Sequence, residues 1–278
     1  MALWSIGICT PIPMVPVNEK AIGIDKVRAA LSHVSGESVN VTACRKELEE
    51  ALPVSNNEDK HLGLITPEWQ RARQMLAVPP GHSIIEIYAD GMEVGQARTA
   101  AVQTARESGL KYIFFLDWDV IVPQDALVVL AYQLDNNPDF GVASGMYCMK
   151  SIPTHPLLWR GWNEGVAYDW TVGDVIKDRV VGVPMGCALL RLSLFDKLPN
   201  TPDNPWFRTL NTTVNCGGMW REQRMTEDLW FCKRFTDECQ GKIMVDTGLL
   251  CDHICHNTGR RYMLSKDSLP WKRREGRT

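Results

Sequence analysis

The sequence predicts an α/β fold in which a mostly parallel central sheet is flanked by helices. Strand-like and helix-like segments alternate between Pro67 and Leu134, which favours parallel strands joined by right-handed crossovers. Lys111–Leu116 (KYIFFL) is apolar on both faces, as a strand at the centre of a covered parallel sheet must be. Polar and acidic residues follow that strand at once, at the end where such sheets bind ligands.

The elements follow in chain order. Trp4 to Cys9 is a short apolar run and reads as a first buried strand, which Thr10-Pro11 turns into a loop. Residues 18–60 are polar, with an acidic cluster (Glu47, Glu49, Glu50), Pro53 and the turn-like Ser55-Asn56-Asn57, and read as an insertion. Pro67–Leu76 is helical, Pro79-Pro80-Gly81 stops it, and Ser83–Tyr88 is a β-branched strand. Val94, Ala97, Ala101 and Ala105 recur at helical spacing, and Gly109 closes that helix. Pro123–Leu134 is the next helix. The expected catalytic domain is residues 1–256, followed by a tail at 257–278.

Composition narrows the function class. The chain has 278 residues, 45% hydrophobic and 23% charged, which is enough apolar material for a full core and excludes a disordered chain. No apolar run approaches the roughly 18 residues of a spanning helix, so no membrane span is expected. MALWSIGICT has no basic n-region, and a cytoplasmic location is the expectation. Nine cysteines without regular spacing leave at least one unpaired and suit small buried hydrophobes in a reducing compartment. The net charge is −3, but the tail carries seven basic residues, from Arg260 and Arg261 to Arg277, against Asp267 and Glu275. Such a tail is either solvated or attracts an anionic partner.

Four constellations carry chemistry. Asp117-Trp118-Asp119 ends the central strand, where alternation points Asp117 and Asp119 one way and Trp118 the other. Two carboxylates so close repel unless a cation sits between them, and hard oxygen ligands suit Mg²⁺ or Mn²⁺. The alternative is an acidic turn capping the helix after Pro123. Arg98, at the front of its helix, makes a phosphate seat with the helix amino end, or is a solvated helix arginine. Thr226 is an N-cap, with Glu227 and Asp228 complementing the helix dipole. Asp228, Cys232 and Phe235 also share a face at i, i+4, i+7, so Asp228 would turn inward, where a carboxylate needs a partner or a task such as general base. In Cys251-Asp252-His253-Ile254-Cys255-His256, no second ligand cluster supports zinc. The readings are one imidazole joining the carboxylates, core packing, or zinc.

In this order the segments resemble the GT-A glycosyltransferases, and most closely the inverting, family-two-like members of bacteria and phages. The resemblance covers roughly residues 3–14 and 64–256, through KYIFFLDWDVIVPQDAL, Gly182–Ala188, TEDLWFCKRF and Cys251-Asp252-His253. It implies a single GT-A-like (Rossmann-like) domain that binds a nucleoside diphosphate sugar at the carboxyl edge of the sheet. Thr10 and Pro11 would border the nucleobase, Asp90 the base or ribose, and Arg98 the nucleotide. Asp117 and Asp119 match the acidic motif that holds the diphosphate's Mn²⁺ or Mg²⁺, and His253 matches a third metal ligand. Trp118 is bulkier than the family's usual middle residue and would stack on or shape the donor pocket. Asp228 matches the catalytic base, and Gly182–Ala188 would border donor sugar and acceptor.

The expected reaction is one inverting displacement, with a UDP-sugar the first donor to try. The acceptor stays open among a glycan, a lipid-linked sugar, a protein and a modified DNA base. Tryptophans 159, 162, 170, 206 and 220 offer stacking faces for a sugar or base, or simply pack. Two other readings use the same residues. A sugar-nucleotide nucleotidyltransferase would show a glycine-rich loop where this chain has Thr10-Pro11-Ile12-Pro13, and a nucleic-acid-binding module would use the tail and the cysteine-histidine cluster.

Overall fold

The structure, a computed structural model, describes residues 4–13, 65–162, 164–216, 219–255 and 258–264. The elements, in order, are β1 (Trp4–Pro13), α1 (Pro67–Gln74), β2 (His82–Met92), α2 (Val94–Glu107), β3 (Tyr112–Leu116), β4 (Val120–Ile121) and α3 (Ala126–Asn136). Then come β5 (Phe140–Met146), β6 (Val175–Ile176), β7 (Cys187–Arg191), a 3-10 turn (Leu192–Asp196), β8 (Leu210–Cys216), β9 (Met219–Met225) and α4 (Glu227–Cys239). The last are β10 (Lys242–Leu250), β11 (Asp252–Cys255) and β12 (Arg260–Tyr262). The proposed insertion at 18–60 lies outside the described residues.

Seven strands form the central sheet in the order β2-β1-β3-β7-β5-β10-β6. β1 runs parallel to β2 and β3, and β5 parallel to β10, while β7 and β6 are antiparallel to their neighbours. Five strands therefore share one direction, and the sheet is mostly parallel as the apolar KYIFFL segment requires. All five residues of β3 are buried. Its side chains alternate: Ile113 and Phe115 join a cluster with α2 and α4, while Tyr112, Phe114 and Leu116 join one with α1 and α3. Helices cover both faces, so β3 has no polar face to show.

The helix bounds differ from the pattern in small ways. Ala126, not Pro123, starts α3, because Pro123 first closes a turn by accepting from the Ala126 N–H at 3.1 Å. Gly109 ends the α2 region at φ 67°, where a side chain would be strained. The strand expected to stop before Thr10-Pro11 instead runs to Pro13. Beyond Cys9, β1 pairs with β2 alone, which leaves one side of the backbone free of a ladder and lets proline sit there without losing a bond.

A second, three-stranded sheet, β12-β11-β4, sits beyond the carboxyl end of β3. His253 stands opposite Val120 in it, and the Ile254 N–H donates to the Asp119 carbonyl at 2.8 Å. Arg260 and Arg261, read from sequence as tail, are in β12 of this sheet, while residues 265–278 lie outside the described residues. The seven cysteines whose side chains are described are free thiols, five of them buried, in keeping with a hydrophobe's role. Among the described residues no helix is long and apolar enough to cross a membrane.

Candidate functional site

The carboxyl ends of β3, β5 and β10 and the start of β7 face one edge of the sheet, and the acidic residues collect there. Asp117 follows β3 directly. Its N–H donates to the Gly186 carbonyl at 3.1 Å, and its own carbonyl accepts from the Val120 N–H at 3.0 Å and from the Trp69 indole at 2.8 Å. The Val120 bond closes a turn over Trp118 and Asp119, so the two aspartates come together through a turn rather than through strand alternation. Trp118 is 7% exposed. It offers no open face, which argues against its stacking on a donor.

Arg98 is the hub of the site. Only 2% exposed, it lies over the Phe115 ring at 5.0 Å and donates from Nη2 to both Asp117 oxygens, at 2.8 and 3.1 Å. Its Nε donates to Glu227 Oε1 at 3.2 Å, and its Nη1 is buried with no partner among the described residues. The expected phosphate seat at the front of α2 is therefore not formed. Glu93 caps that helix end by accepting from the Gln96 N–H at 3.1 Å, and the guanidinium is committed to two carboxylates. The signal was in the sequence: Arg98, Val102 and Ala105 form the buried i, i+4, i+7 stripe of α2.

The same shift of phase applies to α4. Its buried acid is Glu227, in line with Phe231 and Arg234, whereas Asp228 is half-buried. Thr226 occupies the N-cap position but makes no side-chain cap bond; its hydroxyl donates to Asp228 Oδ1, which also accepts from the Leu229 N–H at 2.7 Å. Asp228 Oδ2 has no hydrogen-bond partner among the described residues. Asp228 is near enough to act electrostatically on Asp117, Arg98 and Tyr147.

Lys150 and His253 converge on Asp119. Lys150 Nζ lies 2.5 Å and His253 Nε2 3.3 Å from the same oxygen, Oδ2. His253 is oriented by Nδ1, 2.9 Å from the Cys148 carbonyl, and its ring meets Tyr147 edge-on at 5.3 Å. Tyr147 in turn accepts from the Gly186 N–H at 2.9 Å. Gly186 must be glycine, since a Cβ there would stand 2.6 Å from the Tyr147 oxygen and 3.0 Å from Asp117 Oδ2.

These environments separate Asp117, Asp119 and Glu227. Burial raises Asp117 despite Arg98, with Asp119 adding to the rise. Burial acts the same way on Asp119, but His253 and Lys150 outweigh it and hold that carboxyl well below the usual range. Burial, then Asp228, push Glu227 up to about 7 against the pull of Arg98. Burial, with Asp117 and Asp228, drives the Tyr147 phenol far above its ordinary value. Burial also raises the Cys9 thiol, which senses Arg98 and Asp117, to about 12, so it stays protonated.

The fold thus brings together Arg98, Asp117, Asp119, Asp228 and His253, and adds Glu227, read from the sequence only as a helix-dipole partner, and Lys150, Tyr147 and Trp69, which no sequence motif marks. Thr10 and Pro11 are buried in β1, and Asp90 pairs through its backbone with Ile12; its side chain lies outside the described residues. Of the tryptophans, Trp170 and Trp206 are core residues, 5% and 4% exposed, so they offer no acceptor face. Trp162 remains half-buried, with Lys233 5.4 Å over its ring. Among the described residues no group of three or more His, Cys, Asp and Glu side chains is arranged to hold a metal ion, which bears on zinc and on the Asp117-Asp119-His253 set alike.

No family model matches the sequence, and no curated protein matches it. Solved structures do. The crystal structure of A197 from STIV is 10% identical, covers 94% of this chain and 94% of its own, and has a TM-score of 0.47. UTP-bound UGPase from Acinetobacter baumannii is 11% identical over 87% of this chain and 88% of its own, with a TM-score of 0.38. S. aureus TarS 1-349 in complex with UDP-GlcNAc is 12% identical over 87% of this chain and 55% of its own, with a TM-score of 0.34. At these scores and identities the similarities say nothing about substrate or reaction.

Proposed function

We propose that this chain is a GT-A-like glycosyltransferase that moves a sugar from a nucleoside diphosphate sugar, with UDP-sugars the first to try, to an acceptor hydroxyl with inversion. One observation carries the reading: four carboxylates (Asp117, Asp119, Glu227, Asp228) gather with Arg98, Lys150 and His253 at the carboxyl edge of a mostly parallel sheet. Two cations of fixed charge, Arg98 and Lys150, stand among these four acids, of which burial raises Asp117 and Glu227 toward their protonated forms.

In this reading Asp119 and His253 are the groups that would hold Mg²⁺ or Mn²⁺, and among the described residues no third His, Cys, Asp or Glu joins them. A carbonyl can only accept, so the Cys148 contact puts a hydrogen on Nδ1 and leaves Nε2 as the ring nitrogen that faces Asp119. A bound cation would neutralise charge building on the departing diphosphate. Arg98 does not touch phosphate in this reading. It keeps Asp117 and Glu227 in place and lowers the repulsion among the acids.

Asp228 is the base. In the step itself, the acceptor oxygen forms a bond to the anomeric carbon while the bond from that carbon to the diphosphate oxygen breaks. The nucleoside diphosphate leaves with the electron pair, and the acceptor's proton passes to Asp228 Oδ2. Backbone and hydroxyl donors on Oδ1 orient the carboxylate for this.

The test is nucleoside diphosphate release from UDP-sugars, with water and with glycan, lipid-linked, protein and hydroxymethylated-DNA acceptors. Asp228→Asn should bind donor as wild type does and lose turnover by about 10²–10⁴-fold. Full turnover in that variant would remove the base assignment. Pyrophosphate-dependent formation of UTP and sugar 1-phosphate by the wild type would identify a nucleotidyltransferase instead.

A further inference from the structure

The Thr226 hydroxyl and the Leu229 N–H fix the Asp228 carboxylate within its own helix, through Oδ1. They do not fix the helix against the sheet. The contacts that seat α4 begin a turn further along: Phe231 stacks on Phe207 at 4.8 Å and on Phe235 at 5.9 Å, and the Cys232 thiol donates to the Val183 carbonyl at 3.4 Å. Ahead of them the Thr226 side chain makes no cap bond to the helix backbone. The polar link from this first turn to the central sheet is Glu227. Its Oε1 accepts from Arg98 Nε at 3.2 Å, and Arg98 Nη2 reaches both oxygens of Asp117, which follows β3 directly. A carboxylate that only complemented the helix dipole would have no need of burial. Glu227 is buried, and against a guanidinium that is buried as well.

We propose that Glu227, acting through Arg98, is the positioning residue of the base: the strut Asp117–Arg98–Glu227 sets where the first turn of α4 stands against the end of β3, and so where Asp228 meets an acceptor. The inference rests on the reading of Asp228 as the base and adds to it the two residues that hold it in register. Arginine suits the task, because its planar fork fixes two acids in one geometry, where a lysine would be a point charge on a flexible stem.

Charge gives the strut a pH dependence. Arg98 from α2, Asp117 from the end of β3 and Asp228 from α4 itself are the charged groups that act on Glu227. Its bond to Arg98 is an ion pair only once Glu227 has lost its proton, which burial and Asp228 delay to about 7. Below that the carboxyl still accepts a hydrogen bond, but a weaker one.

The experiment follows nucleoside diphosphate release from UDP-, GDP-, CMP- and dTDP-sugars, with water as acceptor, at pH 5, 6, 7 and 8. The proteins are wild type, Glu227→Ala, Glu227→Gln, Arg98→Lys and Asp228→Asn, each melted to confirm that it folds. Amide hydrogen exchange at Trp230, whose N–H donates to the Thr226 carbonyl at 2.9 Å, reads the first turn directly. Glu227→Ala is expected to lose about 10²-fold in kcat with little change in donor KM, the scale of a displacement of about 1 Å, and to exchange faster at Trp230. Arg98→Lys, which keeps the charge and loses the fork, should fall with it. Glu227→Gln keeps an acceptor for Nε and should retain more turnover than Glu227→Ala, without the rise through about pH 7 that wild type shows. If Glu227→Ala and Arg98→Lys match wild type in kcat and in exchange while Asp228→Asn is inactive, the apolar face alone seats α4; the strut is then overturned and the base stands. If Asp228→Asn turns over at the wild-type rate, or wild type cleaves none of the sugar nucleotides, the reading of Asp228 as the base fails and takes this proposal with it.

Discussion

Replacing Glu227 by glutamine keeps the shape of the side chain and removes its charge, and the structure sets what that should do. Glu227 is 8% exposed, and burial together with Asp228 moves its carboxyl from 4.5 to about 7, with Arg98 pulling the other way. The folded chain therefore holds a proton that the unfolded chain has already released anywhere between those two values. Below pH 4.5 both states are protonated and Glu227 imposes no cost. As pH rises toward 7 stability falls, and above 7 the full loss of about 3 kcal/mol is reached. Glu227→Gln has no proton to lose. Measured by urea unfolding at pH 5, 6, 7 and 8 in EDTA, its stability relative to wild type should climb by roughly that amount across the series. Asp228 and Asp117 act on Glu227 and are acted on by it, so the series reads the titration of the cluster as the Glu227 charge is removed. Parallel curves for the two proteins would mean that Glu227 is not buried beside Arg98 as described, and the reasoning about the hub would be wrong.

Three further outcomes are expected. Gly186→Ala forces a Cβ to within 2.6 Å of the Tyr147 oxygen and 2.8 Å of Val120 Cγ2, which should cost about 1–3 kcal/mol by overpacking and weaken donor binding as Asp117 shifts; an unfolding midpoint and UDP affinity equal to wild type would contradict this. Trp69→Phe removes the indole bond to the Asp117 carbonyl, and chemical denaturation should register a loss of about 1–2 kcal/mol. At the opposite edge of the sheet, burial lowers the pKa of His82, with Asp135 opposing the shift. Its neutral form is favoured in the folded state, so stability is complete above the ordinary 6.5 and declines as pH drops through the lowered value. His82→Gln should flatten that acid limb in the same urea series, and an unchanged limb would refute the assignment.

Much of the fold could be read from the chain because its physical causes are local. KYIFFL has no polar face, so it had to be a covered central strand, and the alanine spacing of α2 fixed that helix to within two residues of its true end. The acidic pair after β3 was legible for the same reason. What failed was phase and partnership. Asp228 and Glu227 are neighbours, and a helical wheel drawn through Cys232 selects the first, while one drawn through Phe231 selects the second. The stripe through Val102 and Ala105 marks Arg98 as buried but does not name what it bridges, because its partners Asp117 and Glu227 are 19 and 129 positions away. Lys150 and Trp69 depend on contacts 31 and 48 residues distant, and no spacing rule reaches that far.

Donor binding itself is the most direct trial of the whole reading. UDP-, GDP-, CMP- and dTDP-sugars, each with and without Mn²⁺, would be tested by thermal shift on wild type and on Asp119→Ala. A ligand at 100 times its dissociation constant stabilises the folded state by about 2.7 kcal/mol, well above the detection limit of a melt. One nucleotide class, UDP-sugars first, should raise the melting temperature of wild type with Mn²⁺ present, and Asp119→Ala should lose that rise. No shift with any sugar nucleotide, or a shift that survives Asp119→Ala undiminished, would contradict a sugar-nucleotide site at the carboxyl edge of this sheet.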